Sequence, residues 1–139
     1  MKYLRCVFPI AILLASCSMV EVLEPLPFDN PGDAMKWVRE NIAYKSDLER
    51  FSLDDWQSPL ETLSRRTGDC EDISILWMYL VQRDFSLETE MLVGIHKDFR
   101  NNHAWAASTD GKYVFYSANK NYLFIIHIGY RDAIMDSYK

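Results

Sequence analysis

The sequence predicts an α+β fold in which one buried helix packs on a small antiparallel sheet. Three observations predict it. Apolar residues recur at helical spacing through the first part of the domain, up to about Phe85. From Glu88 the period changes to short runs rich in Val, Ile, Tyr and Phe, separated by turn residues. Asp110-Gly111, lying between two of those runs, is the strongest hairpin signal in the chain. Helices first and strands afterwards imply segregated layers rather than alternating βαβ units. The 139 residues suffice for one core. With 49% hydrophobic and 25% charged residues the composition excludes wholesale disorder. A net charge of −5 without any basic patch excludes a nucleic-acid partner.

The first residues stand apart from that domain. Lys2 and Arg5 precede an apolar run from Cys6 to Leu14, and Ala15-Ser16 are small residues before Cys17. This is the layout of a secretory signal, too short to span a membrane as a helix. Leu14-Ala15-Ser16-Cys17 also resembles the bacterial lipobox, where cleavage leaves the cysteine as a lipidated N-terminus. Residues 1–16 are then a lipoprotein signal peptide, and acyl chains on Cys17 anchor the protein to a membrane of the bacterial cell envelope, on its periplasmic or extracellular face. On this reading Cys6 leaves with the signal and Cys17 carries lipid, so Cys70 is the single free thiol of the mature chain. An unpaired thiol in an oxidising compartment invites a functional explanation.

Residues 17–30 carry prolines and little periodicity and read as a tether, with the domain from 31 to 139. Asn30 caps a helix that has Pro31 in its first turn and Asp33 at N3; Ala34, Trp37, Val38 and Ile42 give it one apolar face as far as about Tyr44. Lys45 to Trp56 is irregular, anchored by Phe51, Leu53 and Trp56. Ser58 and Pro59 open a second, short helix. Gly68 permits a tight turn into a third helix beginning at Cys70, in which Ile73, Trp77, Leu80 and Val81 face the core and which ends near Arg83 to Phe85. Strands follow at Glu88–His96, His103–Thr109, Lys112–Ser117 and Tyr122–Ile128, and a short helix after Arg131.

A cysteine on the first turn of a helix sits where the macrodipole and free N–H groups favour the thiolate. His103, opening a strand that packs on this helix, is the candidate base. A two-residue loop at Asp110-Gly111 pairs Thr109 with Lys112 and sets Ala118 opposite His103. Ser117 and Asn119 are therefore the candidates to orient the imidazole. Asp69, Glu71 and Asp72 surround the thiol; by charge alone they raise its pKa, and as acids at a helix start they serve as caps. His96 and His127 have no metal-ligand spacing to each other or to Cys70.

Trp56-Gln57-Ser58-Pro59-Leu60-Glu61-Thr62-Leu63, Gly68-Asp69-Cys70-Glu71-Asp72 and His103-Ala104-Trp105 together resemble the transglutaminase-like superfamily. The nearest branch is the bacterial transglutaminase-like cysteine peptidases, and the similarity spans roughly residues 31 to 128. It implies a papain-like core in which Cys70 attacks an acyl carbon, His103 acts as base and then acid, and Trp56 sits by the oxyanion. The third residue of such sites is normally an aspartate, and that position falls on Ser117. Either Asn119 substitutes, or the domain is an inactive module that holds a peptide or envelope partner in the same cleft. In some periplasmic members acids beside the cysteine bind calcium, which makes Asp69, Glu71 and Asp72 candidate ligands; no cofactor is otherwise required. The implied substrate is a protein or peptide, cleaved or transferred at a peptide or amide bond.

Overall fold

A computed structural model describes residues 26, 28–46, 55–96, 102–115 and 122–138. The order is α1 (Pro31–Asn41), β1 (Ala43–Tyr44), α2 (Pro59–Arg65), β2 (Thr67–Gly68), α3 (Cys70–Phe85), β3 (Thr89–His96), β4 (His103–Ser108), β5 (Val114–Phe115), β6 (Tyr122–Gly129) and α4 (Tyr130–Asp136). The helical half precedes the strand half, as the change of period predicts. The segments read as signal peptide and lipid cysteine, the anchors Phe51 and Leu53, and the pair Ser117 and Asn119 lie outside the described residues.

Asn30 caps α1 with its Oδ1 accepting from the Gly32 and Asp33 N–H groups. The helix ends at Asn41, three residues before the expected Tyr44. Ile42 turns extended, and Ala43-Tyr44 pair in parallel with Thr67-Gly68. Here a tertiary strand partner outcompetes continuation of the helix, and Ala43 N–H goes to Arg66 O instead. Leu26 and Phe28, in the stretch read as a tether, are half-buried against the core, Phe28 edge-on to Trp37. α2 opens with a full capping box: the Glu61 N–H donates to Ser58 Oγ and the Glu61 carboxylate receives the Ser58 N–H. Its last turn closes through Arg66 in the left-handed region.

α3 is the centre of the molecule. Ile73, Ile75, Leu76, Trp77, Met78, Leu80 and Val81 are all buried, so the helix is enclosed on every side rather than amphipathic. Trp77 stacks on Phe115 with ring centroids 5.6 Å apart and donates from Nε1 to Pro31 O, joining helix, sheet and α1.

Beside α3 lies a four-stranded antiparallel sheet in the order β5-β4-β3-β6. Its core face is Met91 and Val93 of β3 with Ala104 and Ala106 of β4; the small alanines let the helix approach β4 closely. The β4–β5 turn differs from the expected two-residue loop. Ser108 N–H bonds to Tyr113 O, so four residues from Thr109 to Lys112 form the loop. Both favoured two-residue forms need positive φ at the first central residue, which would be Asp110, and here only Gly111 adopts it, at φ 71°. Because two residues are added symmetrically, the register survives: Ala106 faces Phe115 and Ala107 faces Val114, as the shorter loop would also have placed them.

Candidate active site

Cys70 is the first residue of α3, delivered by the β2 turn. Gly68 is required there, because a Cβ at this position would lie 2.6 Å from Asp72 Cβ. The Cys70 Sγ accepts a hydrogen bond from the Ala104 N–H at 3.5 Å. Along β4 the N–H groups of even residues point toward β5, as Ser108 shows by donating to Tyr113. The Cys70 thiol therefore lies at the start of β4, beside the peptide that follows His103.

His103 is half-buried and stacks against Trp105, two residues on along the same face of the strand, with ring centroids 6.1 Å apart. Burial pushes its pKa below the usual imidazole value. At neutral pH it is a neutral ring, able to accept a proton.

The thiol itself is protonated. Burial is the largest cause, and the adjoining Glu71 carboxyl, at 3.1 Å from Sγ, adds to it. This corrects the expectation that the helix N-terminus makes Cys70 a thiolate. A macrodipole contribution of about 0.3–1 kcal/mol is outweighed by desolvation together with two acids. Glu71 is raised as well, first by its own burial. Asp72 is wholly buried, which pushes it up to about 6.

The three acids do not converge. Asp72 accepts from the backbone N–H of Gln57 at 2.7 Å, from the Gln57 side-chain amide, and from the Asp69 N–H at 3.3 Å. Glu71 turns toward the thiol and the Asp69 side chain instead. Among the described residues no three His, Cys, Asp or Glu side chains could hold a metal ion. Asp72 acts in the cap of α3. His127 sits apart on β6, paired with Glu90.

Trp56 is half-buried against the core cluster, and the peptide that follows it is the one held by Asp72. Two contributors escaped sequence reasoning. The Ala104 N–H is a backbone donor with no residue signature. Gln57 has no role assigned from the sequence, and only burial against Asp72 reveals its amide.

A family model of the transglutaminase-like superfamily matches residues 24–120, a span that contains Trp56, Cys70 and His103. No curated protein matches the chain.

Proposed function

This chain belongs to the transglutaminase-like superfamily, and on that premise we propose that it is a cysteine hydrolase or acyltransferase acting on peptide or amide bonds. Cys70 is the nucleophile and His103 the base. The observation that carries this reading is the Ala104 N–H bond to Sγ, which sets the thiol beside the peptide that follows the imidazole. The resting pair is neutral, so the proton moves as the bond forms: Sγ attacks the acyl carbon while its proton passes to His103. The carbonyl oxygen becomes an oxyanion near the Cys70 N–H, a free donor at the helix start, and Trp56. Collapse expels the amine, which takes the proton from His103 and leaves a thioester. Water or a second amine then attacks the thioester, with His103 again accepting the proton.

In this reading Asn119 or Ser117 orients the imidazole. The chain is exported and lipid-anchored at Cys17, as the order of basic pair, apolar run, small pair and cysteine supports. Among the described residues no helix is long and apolar enough to cross a membrane.

A second reading is a binding module that no longer catalyses, and the thiol's bond to Glu71 favours it, because that acceptor competes with the imidazole. Iodoacetamide alkylation of Cys70 across pH, in the native chain and in His103→Ala, separates the two. The enzyme is expected to lose most of its alkylation rate near neutral pH when the imidazole is removed. A rate unchanged by His103→Ala would leave the binding module standing.

A further inference from the structure

Resting on the reading of Cys70 as acyl acceptor with Trp56 near the oxyanion, we propose that Asp72 is a positioning residue that locks the Trp56–Gln57 peptide to the start of the nucleophile helix. Its carboxylate joins two segments that are distant in sequence. One oxygen takes the Gln57 backbone N–H at 2.7 Å; the other takes the Gln57 side-chain amide and the Asp69 N–H. Asp72 follows Cys70 by two residues, so every shift of the Trp56 segment against the thiol strains these bonds.

The arrangement is a poor device for stability alone. Asp72 is entirely buried, and a buried carboxylate often contributes less than an apolar side chain of the same size. Gln57 is also buried, and holding its amide on Asp72 leaves Gln57 Oε1 without a hydrogen-bond partner. Gly68 must lack a Cβ for Asp72 to fit at all. Three costs are thus accepted around one carboxylate, and what they secure in common is the placement of residues 56 and 57 against residue 70. Placement of this kind matters most where an oxyanion must meet donors already in position.

The test uses two reagents that share the nucleophile but differ in the transition state. Iodoacetamide is attacked at a saturated carbon, where Sγ forms a bond as iodide leaves and no oxyanion develops. p-Nitrophenyl acetate is attacked at its carbonyl: an S-acetyl bond forms, p-nitrophenolate leaves, and the thiol proton passes to His103. In the full chain, Asp72→Asn is expected to slow acetylation by about tenfold or more while alkylation stays within about twofold. Trp56→Ala should slow acetylation too, and the double variant should be no slower than Trp56→Ala alone, because both changes act through one element. Equal slowing of both reactions, no slowing of either, or additive losses would each overturn the proposal. If Asp72→Asn does not fold, Gln57→Ala replaces it; the same selective loss is expected, and equal slowing of both reactions again overturns it. Should the native thiol be acetylated no faster than free cysteine, the catalytic reading beneath fails, a result distinct from any of these.

Discussion

Cys70 and Glu71, neighbours in the chain, are hydrogen-bonded to each other: the thiol donates to the Glu71 carboxyl across 3.1 Å. Adjacent residues on a helix do not ordinarily face one another. They meet here at the first turn, where Glu71 is buried and Cys70 partly buried. The consequence is a thiol held in its protonated form beside a neutral imidazole.

Glu71→Gln tests that consequence. Removing the acid lowers the pKa of Cys70, and alkylation by iodoacetamide at pH 9.5, above the value of about 9 to which burial raises Glu71, should accelerate by about tenfold for each pKa unit recovered. Mass spectrometry of the modified chain measures it. An unchanged rate would show that burial and Asp69, not Glu71, govern the thiol.

Stability should rise toward acid. The Asp72 carboxyl titrates at about 6 in the folded protein against 3.8 in the ordinary carboxylate. Between those values the folded chain holds a proton that the unfolded chain has released. Stability is therefore gained as pH falls through about 6, is complete below about 4, and is lost again as pH rises through 6. Glu71, raised by its own burial, acts in the same direction. Calorimetry at pH 5 and at pH 7.5 should give the higher Tm at pH 5, and a smaller difference in Asp72→Asn.

Gly68→Ala should destabilise by about 1–3 kcal/mol, an overpacking cost. The new methyl group would lie 2.6 Å from Asp72 Cβ, an atom fixed by the helix backbone that cannot swing aside. Urea unfolding of the variant reads this directly. A loss below a few tenths of a kcal/mol would mean that β2 yields and that the Asp72 cradle is softer than described.

Trp77→Ala should cost about 3–5 kcal/mol, a large part of the roughly 5–15 kcal/mol that holds a typical domain together. The indole is fully buried, stacks on Phe115 and donates to Pro31 O. Loss of the cooperative near-ultraviolet transition at 37 °C is the expected observation.

Much of the scaffold was legible in the residues. Asn30-Pro31 and Ser58-Pro59 mark helix starts because a capping side chain followed by proline satisfies and pre-shapes a first turn locally, and both act so here. Alternation and turn residues locate the four strands of the sheet within one or two residues at most of their bounds, apart from the β5 strand, described only as Val114–Phe115. The hairpin register was readable for the same reason: an even number of loop residues keeps the pleat in phase even when the loop length is misjudged. Where α1 stops was not readable, since Ala43-Tyr44 leave the helix for a strand partner more than twenty residues further on.

Sequence by itself determined the fold class and the family resemblance, and named Cys70 and His103 as candidates, because these depend on local pattern and residue chemistry. Tertiary structure decided the state of the site. Whether Cys70 is thiol or thiolate turns on burial and on the direction of Glu71, and where the Asp72 carboxyl is spent turns on Gln57 and the Asp69 N–H reaching it. Desolvation and hydrogen-bond direction are properties of packed surroundings, and no spacing along the chain encodes them.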